Sequence, residues 1–376
     1  MSVEAIERAL GAAQASGVAP GLVAAAQLRG GGQYAGAFGQ RGLADPAAMS
    51  ADTLFWIASM TKLVTSIAAL QLVEQGRLAL DQDAAAIVPA IAEPPILEGF
   101  DADGAPRLRR PTRPVSVRHL LTHTSGFGYV FMSEDLARYA AHAGLGFDQG
   151  LALPRLFEAG ERWLYGVSTD FVGQIVEQVT GLGLDAYVQR HVFDPLGMAD
   201  TTFALSPEQA GRTAAMQARL PDGSLAPMPF APPPPPNPML GGGGLYSTAG
   251  DYLTLLKALL GGGGPILTKE SLALLTSNQV GDLDCGVLAS SNAMLTNPFE
   301  PLPGVAKRWS LGMMRNQTAG PDGRGAGSLA WAGLSNCYYW ADPAAGVAGV
   351  LLMQVLPFAD PKALEVFAAF ERAVYA

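Results

Sequence analysis

Positive charge is scarce in this chain, as are the residues that build metal sites and disulfide frameworks. The 376 residues carry 24 Lys and Arg against 33 Asp and Glu, a net charge of −9. No basic cluster stands out beyond the short stretch from Arg107 to Arg113, which excludes a nucleic-acid partner. There are only two cysteines, Cys285 and Cys337. They form no metal-ligand pattern and read as two free, buried thiols. Four histidines are present; His119 and His123 have zinc-ligand spacing, but no glutamate follows His119. With only His142 and His191 left over, a packed or capping role is the better reading, and no metal or cofactor is expected. No apolar run reaches membrane-spanning length. The segment from Met1 to Leu10 carries acids early and reads as an amphipathic helix rather than a signal peptide. A soluble, cytoplasmic protein with no membrane partner is expected. The glycine runs lack a following Gly-Lys-Ser/Thr, so none is a P-loop. No intact G-x-S-x-G occurs. Gly166-Val167-Ser168 and Gly333-Leu334-Ser335 each miss the last glycine, which disfavours an α/β-hydrolase elbow.

What is plentiful is apolar surface. Hydrophobic residues make up 49% and charged residues 15%, which at this length suits two packed units sharing a large core. Two apolar runs between Gly21 and Gly39 flank Gly30-Gly31-Gly32 and predict a β-hairpin. A helix is predicted from Ser59 to Gln75, stopped by Gly76. From Arg77 to about Asn237 the pattern is mostly helical, clearest at Val115–Thr122, Asp170–Thr180 and Asp185–Val192. Glu93–Pro114 reads as a surface loop, and the proline run of Ala231–Pro238 as a stiff extended loop inside the fold. Another helix is expected over Thr248–Leu260. Strands follow over Trp309–Arg315, Ser328–Ala332, Asn336–Ala341 and Val347–Val355, then a helix over Pro361–Tyr375. Strands at both chain ends with helices between them imply an α/β (α+β) architecture. Residues 1–76 and 240–376 would form an antiparallel sheet domain, and residues 77–239 a helical domain.

Ser59-Met60-Thr61-Lys62 carries the chemistry. Residues i and i+3 share a helix face, so the serine oxygen and lysine nitrogen can meet. A desolvated lysine can activate a serine, and a helix start aims backbone N–H groups at a forming anion. With 19 serines and 5 lysines in the chain, about a quarter of such a match is expected by accident, so the motif alone is weak. Two further pieces strengthen it. Tyr165, in Glu161-Arg162-Trp163-Leu164-Tyr165-Gly166-Val167-Ser168, offers a phenol for proton transfer. In Trp331-Ala332-Gly333-Leu334, a glycine at a strand end permits close backbone approach, and the next N–H could face an oxyanion.

Together these segments resemble the penicillin-binding-protein and serine β-lactamase superfamily, in particular its class C-like branch, the family VIII carboxylesterases. The resemblance extends through Phe55-Trp56-Ile57-Ala58-Ser59-Met60-Thr61-Lys62, Val117-Arg118-His119-Leu120-Leu121-Thr122-His123-Thr124-Ser125-Gly126, Phe193-Asp194-Pro195-Leu196-Gly197-Met198 and Gly243-Gly244-Leu245-Tyr246-Ser247-Thr248. It implies Ser59 as acylated nucleophile, with Lys62 and Tyr165 sharing general-base and general-acid duty. It also implies an oxyanion hole from the backbone N–H groups of Ser59 and Leu334. Two departures matter. Trp331-Ala332-Gly333 stands where penicillin-recognising enzymes carry Lys-Thr-Gly, and Val167 replaces the asparagine of Tyr-x-Asn. The expected site is apolar, with Trp331, Gly333, Val167 and Phe131 against the substrate, and with the alternating Phe127, Tyr129 and Phe131 serving either as aromatic wall or as core. A serine carboxylesterase acting on short to medium acyl esters is the expected function. Acyl transfer from the same acyl-enzyme, weak β-lactamase or peptidase activity, and a silent binding-only homologue are the alternatives.

Overall fold

The computed structural model describes residues 3–229 and 240–376; the proline run lies outside them. The strands from the two chain ends meet in one seven-stranded sheet. Its order is Gln33–Gly39, Gly21–Gln27, Val347–Leu352, Cys337–Asp342, Leu329–Gly333, Met314–Asn316 and Lys307–Trp309. Every neighbouring pair is antiparallel, as short connections at the C-terminal end require. The hairpin expected around Gly30-Gly31-Gly32 forms its first edge, with Gly30 and Gly31 at φ +84° and +92°.

Alternation along the central strand assigns the two faces. Tyr339 packs on Tyr252 of the Ala249–Leu260 helix, ring centroids 5.0 Å apart. Its neighbours Tyr338 and Trp340 point the other way and meet Phe367 at 4.7 and 5.6 Å, on the Pro361–Tyr375 helix. Successive side chains on a strand alternate, so these helices cover opposite faces. The Val3–Ala15 helix joins the C-terminal one on its face.

The Thr61–Glu74 helix is buried from Thr61 to Leu72. Leu63, Val64, Ile67, Ala68, Leu70 and Leu72 leave no solvated side, the pattern of a helix enclosed all round rather than an amphipathic one. It ends at Gln75, followed by Gly76 at φ +67°. Among the described residues no helix is long and apolar enough to cross a membrane. Both cysteines are free and buried.

Three expectations differ from the structure. The expected loop 93–114 contains an antiparallel ribbon, Ile96–Phe100 with Pro106–Arg109. Its turn is an Asx arrangement in which Asp101 Oδ1 accepts from the Asp103 and Ala105 N–H groups. Trp309–Arg315 is the turn of a hairpin, closed by Ser310 N–H donating to Met313 O at 2.8 Å. Val347–Val355 breaks after Leu352, and Val355–Leu356 pairs in parallel with Gln217–Arg219 instead.

Gly349 stands opposite Trp340 in the sheet, where an added Cβ would lie 2.1 Å from the indole ring. Gly349→Ala must therefore displace a core tryptophan, and we expect a loss of about 1–3 kcal/mol, typical of overpacking. Urea unfolding checks this. An unchanged midpoint would mean that the indole has free space to move.

Candidate active site

Ser59 does not sit on the α-helix itself. It occupies a 3₁₀ turn, Ala58–Met60, immediately before it. Ala58 adopts φ +45°, a left-handed conformation that a residue with a side chain holds only when its surroundings impose it. They do. Thr61 Oγ1 donates to Ala58 O at 2.6 Å and accepts from Leu245 N–H at 3.1 Å. Ile57 N–H donates to Leu245 O at 3.0 Å, and Trp56 Nε1 donates to Gly243 O at 2.8 Å. The segment 243–245 thus clamps the turn from outside. From the other side, Gly333 approaches so closely that a Cβ there would lie 2.2 Å from Ile57 O. Only glycine fits, and the Gly333–Leu334 backbone is held alongside the turn that presents Ser59.

Lys62 is 1% exposed and uses all three ammonium hydrogens. Nζ donates to Ser59 Oγ at 3.1 Å, to Tyr129 Oη at 2.9 Å and to Gly242 O at 2.7 Å. It also lies over the Tyr165 ring, 4.8 Å from the centroid. Burial works against the charge, but the oxygens of Tyr129 and Tyr165 and the Asp170 carboxylate outweigh it and hold Lys62 above the ordinary lysine value. Tyr129 is half-buried, and burial pushes its phenol up, with Lys62 opposing. At rest the site holds an ammonium beside the neutral phenol of Tyr129. Ser59 remains partly exposed.

Tyr165 is buried nearby, yet its hydroxyl turns elsewhere and accepts from Trp331 Nε1 at 2.9 Å. Lys62 and Tyr165 therefore meet through the ring face, and the phenol hydrogen-bonded to Lys62 is Tyr129. Phe131 stacks on Tyr129 with centroids 4.9 Å apart, and Phe127 is a core residue against Phe171. Trp331 packs edge-on to Trp309 at 4.5 Å and joins an aromatic cluster with His123 and Trp163. Val167 is buried before the Ser168–Thr180 helix with a methyl facing Gly150, a packing position. His119 caps its helix, Nδ1 accepting from Ser116 N–H.

Asp170 and Gly242 were not foreseen. Asp170 is 6% exposed and its Oδ1 accepts from Gly242 N–H at 2.7 Å. Burial raises its pKa, while Lys62 and the Gly242 N–H pull it back. Only helix periodicity marked Asp170 in the sequence.

A partly exposed serine beside a buried, fully hydrogen-bonded lysine, between the end of a sheet strand and a helix cluster, is an arrangement able to activate a hydroxyl for acyl transfer. The Beta-lactamase family profile matches residues 4–372, and the chain belongs to that family, whose members here include acyltransferases and esterases. Monacolin J acid methylbutanoyltransferase of Aspergillus terreus is 33% identical over 348 residues, 87% of this chain and 83% of that protein. Lovastatin esterase of Penicillium rubens is 29% identical over 325 residues, 81% of each chain. Unliganded simvastatin synthase (LovD) from Aspergillus terreus superposes with TM-score 0.87 at 31% identity, over 100% of this chain and 98% of that one. EstCE1, a hydrolase with promiscuous acyltransferase activity, shares the fold with TM-score 0.76 at 22% identity, over 100% and 99% of the two chains.

Lys62→Met would leave the Asp170 carboxylate buried without its nearest cation, raising its folded pKa further. An acid with a raised folded pKa gives up stability as pH climbs from its unfolded value through its folded one. Lys62→Met should thus be more destabilised at about pH 8 than at about pH 5, by up to about 1.4 kcal/mol for each pKa unit of the added shift that falls between those two values. Urea unfolding of both proteins at the two pH values tests this. An equal loss at both would uncouple Asp170 from Lys62.

Proposed function

We propose that this chain is a serine carboxylesterase that works through an acyl-enzyme on Ser59 and takes uncharged esters of short to medium acyl length. The observation that carries the proposal is the 3.1 Å hydrogen bond between Lys62 Nζ and Ser59 Oγ, at a nucleophile held on a strained turn. In the active form Lys62 has lost one proton. Ser59 Oγ attacks the ester carbonyl as its own proton passes to Lys62, and the carbonyl π pair moves onto oxygen. The Ser59 and Leu334 N–H groups would receive that oxyanion. Collapse expels the alkoxide, which takes a proton from a tyrosine hydroxyl, and Lys62 returns a proton to that tyrosine. Tyr129 is the tyrosine in direct hydrogen-bond contact, while Tyr165 supports the ammonium through its ring. Water repeats the sequence in reverse to free the acid. Trp331, Phe131 and the Gly333 backbone form the apolar surround, which favours a neutral substrate over a β-lactam carboxylate.

Transfer of the acyl group to an alcohol is the second reading, supported by the acyltransferase names among relatives of 33% identity. Both reactions share the acyl-enzyme and differ in the acceptor. p-Nitrophenyl butyrate with and without added alcohols, followed by mass spectrometry, separates them by product: free acid alone for an esterase, a new ester for a transferase.

Ser59→Ala should abolish acylation, with activity down several orders of magnitude; about 10⁶ is known for a serine protease. Retention of more than a few per cent of the activity, or an acyl adduct on a peptide lacking Ser59, would point to another nucleophile. Because Lys62 is held above the ordinary lysine value, the deprotonated form is a minority near neutrality, and kcat/KM should climb with pH above neutral.

The division of labour between the tyrosines is tested by comparison. Lys62→Arg keeps the charge but cannot give up a proton, so it should lose at least about a hundredfold in kcat. Tyr129→Phe should fall in the same range. Near-normal turnover in Tyr129→Phe alongside a dead Tyr165→Phe would return the proton-transfer role to Tyr165.

A further inference from the structure

Gly242 bridges two charged groups with both of its backbone dipoles. Its carbonyl accepts from Lys62 Nζ at 2.7 Å, and its N–H donates to Asp170 Oδ1 at 2.7 Å. A Cβ there would lie 2.9 Å from Asp170 Oδ1, so any side chain at 242 has to push the carboxylate aside. The neighbouring Gly241 is pinned as well. Its carbonyl accepts from Thr65 Oγ1 at 2.7 Å, and a Cβ on it would lie 2.7 Å from Thr169 O. The backbone at 241–242 is therefore wedged between the Thr61–Glu74 helix and the Ser168–Thr180 helix, and Asp170 is the side chain that fixes its rotation. Asp170 lies in the first turn of its helix, where the helix dipole favours a carboxylate. A buried carboxylate is expensive unless something needs its charge, and its one backbone partner points on to Lys62.

We propose that Asp170 is a positioning residue for the acyl-transfer site: it orients Gly242 so that one Lys62 hydrogen is taken by the Gly242 carbonyl, leaving the other two aimed at Ser59 and Tyr129, and its negative charge strengthens the base. This rests on the assignment of Ser59 and Lys62 made above. The groups facing Lys62 are Tyr129 from the segment after Gly126, Tyr165 just ahead of the Ser168–Thr180 helix, Asp170 in the first turn of that helix, and neutral His123. Asp170 itself faces Lys62 across Gly242. Asp170 is the sole acid among them, so whichever of Lys62 or a tyrosine must lose a proton, removing the carboxylate eases that loss and weakens the resulting base.

The test is the pH dependence of Ser59 labelling by a fluorescent phosphonate, together with p-nitrophenyl butyrate hydrolysis, in wild type, Asp170→Asn and Asp170→Ala. Asp170→Asn keeps an acceptor oxygen for Gly242 but removes the charge. Its acid limb should move to lower pH by about one unit, while the alkaline plateau falls about tenfold because the base is weaker. Asp170→Ala should show the same shift with a larger loss of plateau, since Gly242 is then free to turn and misplace Lys62. A role confined to packing would lower the yield of active protein without moving the limb. An unmoved limb in both variants overturns the proposal. So does failure of both to fold, because an isosteric amide that retains the acceptor can fail only if Asp170 holds the fold itself. An unlabelled wild type would instead remove the Ser59 assignment on which the proposal rests.

Discussion

An ammonium group removed from water must find an acceptor for each of its hydrogens or lose its charge, and Lys62 imposes that demand on the rest of this molecule. One of its three acceptors, Ser59, stands beside it, and the other two come from distant parts of the chain, Tyr129 from the helical segment and Gly242 from the start of the C-terminal part. Bringing them together requires the Thr61–Glu74 helix to be enclosed on all sides, which its run of apolar residues from Leu63 to Leu72 allows. The glycines at 241, 242 and 333 follow from the same demand. Each marks a place where backbone, rather than side chain, has to reach the site.

The two tyrosines near Lys62 illustrate how similar groups acquire different work. Tyr129 offers its oxygen and Tyr165 its ring face. A desolvated cation over an aromatic ring gains about 2 kcal/mol, so the ring is a substantial support without taking a hydrogen. Trp331 is what separates the two, because its indole N–H occupies the Tyr165 oxygen. The tryptophan standing at a lysine position of penicillin-recognising relatives is thus more than a lost cation. It pins a phenol and completes a wall with Trp309, Trp163 and His123.

Parts of this were legible before any coordinates. The pairing of Ser59 with Lys62 follows from the i, i+3 spacing, although the serine proved to lie in a 3₁₀ turn ahead of the helix. The C-terminal helix appears where periodicity predicts it, Pro361–Tyr375, because a proline start and an apolar stripe are local signals. Tyr129 was hidden among Phe127 and Phe131. Alternating aromatics look alike in sequence, and only the fold decides which one points a hydroxyl at an ammonium. Asp170 was hidden for the same reason, its partner being a backbone N–H 72 residues away. The ribbon at 96–109 escaped because its strands are short and its Asp103-Gly104 turn signal lies in a stretch so rich in Pro, Asp and Arg that it reads as loop.

The sheet has a consequence for the life of the nascent chain. Val23 pairs with Leu352, so the strand next to the N-terminal hairpin is made more than three hundred residues after it. The backbone that flanks Ser59, at Gly333 and Leu334, is made almost as late. The contacts that hold the Ser59 turn and enclose Lys62 therefore cannot be complete until nearly the whole chain has been made, which places this corner among the last parts of the fold to close.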